Sequence, residues 1–240
     1  MEFLLKVENL TVGYSEDIEI LHDVSISVGP GRITGMIGLN GAGKTTLIKS
    51  IYGFLKPKKG RVLLDDRDIT GTDPHSLIHK GLWYLPQDSG LFPYLSVEDH
   101  LRIPIRPLRL SNAEQKRRLS EVLEQFPALA AKRRKKAGDL SGGQQKMLEC
   151  AMAMMVRPRL LFIDEPTVGL APKIAVEMYE RIQRFWEDGT TIFMIDHNVR
   201  QLIEMSGYIY VMSLGRITSE GPQEKFRGEL KEQVRHWLGL

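Results

Sequence analysis

The chain has 240 residues and a formal net charge of +3, with 42% hydrophobic and 26% charged residues. That length suits one large α/β domain or a domain carrying a subdomain. The charge is too small to point to nucleic acid by itself, and a lone cysteine, Cys150, excludes an internal disulfide framework and fits a reducing compartment.

No apolar run approaches the ~18 residues of a membrane span. The first seven residues, MEFLLKV, do not form a secretory signal. The expected location is the cytoplasm, with any membrane association made through a partner.

Residues 3–13 alternate loosely, with Leu5, Val7, Leu10 and Val12 apolar, and end at Gly13-Tyr14-Ser15. This predicts a strand and a turn. Tyr14, an aromatic in that turn, either stacks on an adenine face or covers a sheet edge. A second strand is predicted over 23–28, closing at Gly29-Pro30-Gly31, and a short buried strand over 32–37.

Gly38-Leu39-Asn40-Gly41-Ala42-Gly43-Lys44-Thr45 is a full G-x-x-x-x-G-K-[ST] loop, and residues 45–53 after it read as a helix ending at Gly53. Strand, loop and helix together are the setting this motif needs. Glycines let successive backbone N–H groups turn inward around a polyphosphate, and the helix dipole is positive at the same end. Lys44 can place its ammonium between the β- and γ-phosphates, and Thr45 offers a hydroxyl to Mg²⁺. These residues predict a nucleoside triphosphate site.

A turn over 56–60 and a strand over 61–66 follow, so the first third mixes antiparallel strands with the start of a parallel core. Another strand over 81–86 leads directly into Gln87, whose amide can ligate Mg²⁺ or hold a water. Leu91-Phe92-Pro93-Tyr94-Leu95 sets apolar side chains in a loop, either a satellite of the core or a docking surface. Ser96 reads as the N-cap of a helix, with Asp99 at its third position.

Residues 111–136 read as one basic helical stretch, with Leu119, Val122, Leu123 and Phe126 on one face. Its lysines and arginines have no interleaved aromatics and are read as a solvated face rather than a nucleic-acid or lipid site. Leu140-Ser141-Gly142-Gly143-Gln144 opens a second helix in which Met147, Cys150, Ala151, Met154 and Met155 form a core stripe. Ser141-Gly142-Gly143 is locally either a plain helix start or a second anion site with a hydroxyl and unsatisfied backbone donors.

Residues 159–165 are a continuous apolar strand ending in Asp164 and Glu165, as expected of a strand covered on both faces. Ligands of parallel sheets lie beyond the carboxyl ends of the strands. Asp164 suits a Mg²⁺ shell, and Glu165, alternating to the other side, is placed to polarise an attacking water. An amphipathic helix over 172–188 carries Ile174, Met178, Ile182 and Phe185 inward, and a further buried strand over 190–195 ends in Asp196-His197-Asn198. His197 is either structural or a hydrogen-bond donor to a γ-phosphate or water in the same crevice. A hairpin over 208–219 and a final helix over 229–237 complete the chain.

The ordered set Tyr14, Gly38 to Thr45, Gln87, Leu140 to Gln144, Leu160 to Glu165 and His197 resembles the ATP-binding subunit of an ABC transporter. It matches that family's aromatic loop, Walker A, Q-loop, signature, Walker B with catalytic glutamate, and switch histidine, over essentially all of residues 1–240. The resemblance implies an α/β fold: a P-loop NTPase (RecA-like) core, an antiparallel β subdomain, and an inserted helical subdomain over about 88–158. It implies ATP and Mg²⁺ as ligands. ATP would be held by Tyr14, Gly38, Leu39, Asn40, Gly41, Ala42, Gly43, Lys44, Thr45, Thr46 and Gln87. Ser141, Gly142, Gly143 and Gln144 would come from the second ATPase of a head-to-tail dimer, identical or paralogous. Thr45, Gln87 and Asp164 would hold Mg²⁺, while Glu165, His197, Gln87 and Lys44 would carry catalysis. Integral membrane permease subunits would be the other partners, placing the chain on the inner face of the membrane, and no nucleic acid is expected.

Within the family, Gly169-Leu170-Ala171-Pro172 and the stretch 132–138 resemble the ATPases of branched-chain and other hydrophobic amino acid importers. Ala171 stands where the family usually has the D-loop aspartate. Asp196-His197-Asn198-Val199-Arg200 resembles the related lipopolysaccharide-export ATPase instead. The function implied is ATP hydrolysis energising membrane transport, with uptake of branched-chain or other hydrophobic amino acids as the expected task. Lipopolysaccharide export and a soluble cassette of the iron–sulfur assembly type are the alternatives.

Overall fold

Leu5, Val7, Leu10 and Val12 are all buried on strand β1 (Leu5–Val12), although their spacing breaks strict alternation. The break is a bulge: Asn9 takes a left-handed conformation (φ 50°), and the pairing register shifts between Val7 and Leu10. One extra residue puts the second half of the strand back in phase with the core. β1 pairs antiparallel with β2 (Leu21–Val28) and β4 (Lys59–Leu64), and β5 (Arg67–Asp68) extends the sheet in the order β2-β1-β4-β5.

The computed structural model describes residues 3–14 and 18–227, and the chain divides into two units, 1–77 with 189–240, and 78–188. Besides the antiparallel sheet, the first unit has a parallel centre. The fully buried strand β3 (Ile33–Ile37) lies between β8 (Thr191–Ile195) and β9 (Tyr208–Ser213), parallel to both. β10 (Arg216–Pro222) closes the edge antiparallel to β9. Helix α1 (Lys44–Ile51) follows β3, and α8 (Val199–Met205) follows β8.

In the second unit β6 (Leu82–Leu85) and β7 (Leu160–Asp164) are parallel neighbours. Between them in sequence run α3 (Val97–Arg102), α4 (Asn112–Gln125), α5 (Pro127–Ala130) and α6 (Gly142–Val156), with α7 (Pro172–Glu187) after β7. α6 buries Met147, Cys150, Ala151 and Met155 of its expected stripe but leaves Met154 half-buried, and burial pushes the Cys150 thiol up to about 12. α2 (Pro74–His79) runs across the boundary in sequence.

The single helix expected over 111–136 is broken. Phe126 leaves helical geometry (φ −122°, ψ 71°) because Pro127 follows it, and a proline disfavours the α conformation of the residue before it. Lys116, Arg117, Arg133, Arg134, Lys135 and Lys136 are exposed, the solvated face expected, while Arg118 and Lys132 tie the stretch to its surroundings. Arg118 donates to Glu114 and to the carbonyls of Met155 and Val156, Arg117 pairs with Glu114 and Glu121, and Lys132 donates to Gln144. α2, β5 and α8 went unpredicted, α8 although Asn198 caps it by accepting from the Gln201 N–H at 3.2 Å. The helix expected over 229–237 lies outside the described residues.

Candidate functional site

The phosphate loop leaves the carboxyl end of β3 and enters α1 at Lys44, the strand–loop–helix setting that the motif demands. Gly38 is required by space, and Gly43 by its backbone conformation as well as a close side chain. A Cβ on Gly38 would lie 2.5 Å from the Met212 carbonyl oxygen, and one on Gly43 (φ 105°) would lie 2.7 Å from Leu21 Cδ2. Lys44 is buried, and its ammonium donates back to the carbonyl oxygens of Gly38 (2.8 Å) and Leu39 (3.0 Å). The cation is thus held over the loop, where the first N–H groups of α1 have no partner within the helix. Such a nest with a lysine suits a polyphosphate.

Tyr14 is 61% exposed, with its hydroxyl 3.4 Å from the Thr46 hydroxyl. Its ring is presented largely to solvent beside the start of α1. In the same unit Met36 of β3 is in register with Ile195 of β8. Gly38 and His197 therefore both emerge two residues past a paired position, at one end of adjacent parallel strands. His197 is half exposed, its Nδ1 3.5 Å from Asp196 Oδ1, which also accepts the Asn198 N–H at 2.9 Å.

The second unit repeats this arrangement. Leu85 of β6 is in register with Ile163 of β7, so Gln87 and Glu165 each stand two residues beyond. Asp164 is fully buried and accepts a hydrogen bond from the Tyr84 hydroxyl at 3.1 Å. Burial, and then the Asp164 carboxylate, push the Tyr84 hydroxyl well above its ordinary range, so it stays a donor. Glu165 does not take its direction from strand alternation, as the sequence suggested. β7 ends at Asp164, and Glu165 sits in the left-handed region (φ 46°), a conformation that costs a non-glycine residue energy and re-aims its side chain. Gln87 is exposed, while its own carbonyl oxygen accepts from Lys146 Nζ at 2.8 Å.

Ser141 caps α6 through a full capping box: its hydroxyl accepts the Gln144 N–H, and the Gln144 side chain accepts the Ser141 N–H. Gly142 is exposed with open space where a Cβ would stand, and Lys132 Nζ donates to Gln144 Oε1 at 2.8 Å. The helix start is thereby fixed, with its backbone open to an approaching group. In the loop after Gln87, Phe92 and Tyr94 are 58% and 82% exposed, so this stretch is not a satellite of the core. Buried His100 frames it, with Nε2 accepting the Phe92 N–H (2.9 Å) and Nδ1 donating to the Ser96 carbonyl (2.8 Å). Glu98 ties α3 to Arg133 and pairs with Arg102 on the same helix, and those guanidinium hydrogen bonds hold its carboxyl down to about 2.

A family model described as ABC transporter matches residues 21–168. The chain belongs to the ABC transporter family. It is 37% identical, over 91% of its length and 92% of the relative's, to the probable branched-chain amino acid transport ATP-binding protein LivF of Archaeoglobus fulgidus. It is 33% identical, over 98% of its length and 97% of the relative's, to the lipopolysaccharide export system ATP-binding protein LptB of Acidithiobacillus ferridurans. Among solved structures it resembles the ADP conformation of MJ1267, an ATP-binding cassette of an ABC transporter, with a TM-score of 0.85 at 32% identity. That match covers 99% of this chain and 98% of the other.

This ABC cassette therefore has the P-loop NTPase fold, with an antiparallel β subdomain and an inserted helical subdomain, and it is the ATP-binding, ATP-hydrolysing subunit of a transporter. No helix among its described residues is long and apolar enough to cross a membrane. Sequence reasoning missed four side chains that support the site. Tyr84 had no local signal, since its contact depends on the β6–β7 register. Glu149 did have one, an ionisable residue set between Leu148 and Cys150 on a helix, whereas Lys146 after Gln144-Gln145 and His100 after Glu98-Asp99 carry no such mark.

Proposed function

We propose that this subunit hydrolyses Mg²⁺-ATP in a head-to-tail dimer of cassettes and thereby energises uptake of branched-chain or other hydrophobic amino acids through membrane permease subunits. The observation that carries the catalytic part is the placement of Lys44 at a glycine nest and of Glu165, in a left-handed conformation, just past a strand end. Residues 38–46 would hold the phosphates and Tyr14 the adenine. Ser141, Gly142, Gly143 and Gln144 would meet the nucleotide of the partner cassette. The groups assigned to the metal, the Thr45 hydroxyl, the Gln87 amide and the Asp164 carboxylate, are oxygen donors, as a hard cation such as Mg²⁺ requires. Mg²⁺ would supply charge neutralisation on the phosphate oxygens. Glu165 would accept the proton of the attacking water, oriented with Gln87 and His197, while Lys44 balances charge on the transferred phosphoryl group.

Branched-chain substrates are favoured by the LivF relative and by Gly169-Leu170-Ala171-Pro172. The second reading, a lipopolysaccharide-export ATPase, is favoured by the LptB relative and by Asp196-His197-Asn198-Val199-Arg200. Glu165→Gln tests the mechanism. It keeps side-chain size but removes the base, with an expected loss of about 10²–10⁴ in turnover. ATP binding should persist, so the variant should collect as an ATP-bound dimer in size-exclusion chromatography, alone or with its paralogue, while ADP leaves it monomeric. Hydrolysis within a few-fold of wild type would remove Glu165 from the mechanism. For the substrate, cells carrying Glu165→Gln should lose accumulation of labelled leucine; undiminished accumulation turns the assignment toward export.

A further inference from the structure

We propose that Lys146 and Glu149 form a buried ionic clasp that positions Gln87 relative to the helix bearing Ser141, Gly142 and Gly143. Both residues lie on α6, one turn apart, with relative exposures of only 7% and 5%. Lys146 Nζ donates to the carbonyl oxygens of Pro86 (2.7 Å) and Gln87 (2.8 Å) and stands 3.0 Å from Glu149 Oε2. Glu149 Oε1 in turn accepts the Gly90 N–H at 3.0 Å. Oε2 takes part only as an ion-pair partner, since its geometry to the ammonium is not that of a hydrogen bond.

Two side chains thus grip three backbone groups within residues 86–90, a stretch outside any helix or strand. Simple packing does not require this. The flanking Met147, Leu148, Cys150 and Ala151 fill the core as apolar residues, and a buried charge is unfavourable unless it is paired and hydrogen-bonded. The clasp does what an apolar pair cannot: it specifies one geometry for an irregular backbone. The main chain of Gln87 is anchored to α6 while its side-chain amide stays exposed. Lys146 lies in the second turn from the helix start, so a group engaging Ser141 and Gly142 acts on the same rigid helix that holds Gln87.

The inference rests on the proposed role of Gln87 at the Mg²⁺-ATP site, and Lys146 and Glu149 are positioning residues for it. The test uses the full chain with Lys146→Met/Glu149→Leu, which removes both charges together and so avoids an unpaired buried ion. Lys146→Arg serves as the conservative rescue. Backbone hydrogen exchange is measured over residues 86–92 without nucleotide, and the Mg²⁺ dependence of ATP hydrolysis is measured separately. The double variant should exchange several-fold faster at Gly90, and its apparent Mg²⁺ affinity should fall about 10–100-fold, the usual effect of losing support behind a metal ligand. Binding of ATP without Mg²⁺ should be unchanged, and Lys146→Arg should recover most of the Mg²⁺ affinity. Wild-type exchange, or an unchanged Mg²⁺ requirement in the double variant, overturns the clasp. A wild-type chain lacking Mg²⁺-dependent hydrolysis instead overturns the role given to Gln87, whatever the exchange data show for the clasp.

Discussion

Lys44 is held by two carbonyl oxygens of its own loop, so its ammonium is already in place before a phosphate arrives. Electrostatic stabilisation is effective because the donor need not reorganise. Lys44→Ala should lower turnover by at least roughly 10²–10³-fold, the typical cost of one such donor, and weaken ATP binding. The far-UV circular dichroism should match wild type. Native spectra with unaltered hydrolysis would sink the assignment of the loop. Glu165 shows the complementary case. Its residue type and place after an apolar strand were readable, but its left-handed backbone was not, because φ at a strand end is set by the turn that follows.

At the scale of elements, helix starts explain much of this chain. Ser96, Ser141 and Asn198 each cap a helix with a side-chain oxygen. α7, like α1 and α5, has no such side-chain cap. Ala171 is its N-cap, with Pro172 next, and no side chain satisfies the first turn. Replacing an alanine cap by aspartate typically adds about 0.5–2 kcal/mol. In a chain of this size that raises the melting temperature by roughly 2–4 °C per kcal/mol. Ala171→Asp should therefore melt higher in a thermal scan; an unchanged or lower midpoint would mean that the exposed N–H groups of this turn are satisfied in another way. The broken helix at Phe126-Pro127 follows the opposite logic, since there a local steric rule overrode a continuous run of helix-forming residues.

For the whole molecule, the exposed Phe92 and Tyr94 are the outstanding apolar feature of the second unit, and the buried His100 holds their loop in shape. Such a surface suits docking to a permease subunit. Phe92→Ser/Tyr94→Ser should release that partner during co-purification while leaving ATP binding intact; full retention of the partner with normal transport would leave the loop without a docking role. The sequence by itself determined the family. Its decisive signals are local, a glycine loop ending in Lys44-Thr45, Ser141-Gly142-Gly143 at a helix start, and Asp164-Glu165 after a buried strand, and each depends on a few adjacent residues. It also determined most strands, because continuous apolar runs such as 160–163 and 192–195 have no other stable burial. Only the tertiary structure decided which side chains meet. The Tyr84–Asp164 hydrogen bond needs the parallel register of β6 and β7, and the grip of Lys146 and Glu149 on residues 86–90 joins positions about sixty residues apart. Pairing over such separations follows from strand register and helix packing, which no local pattern of residues encodes.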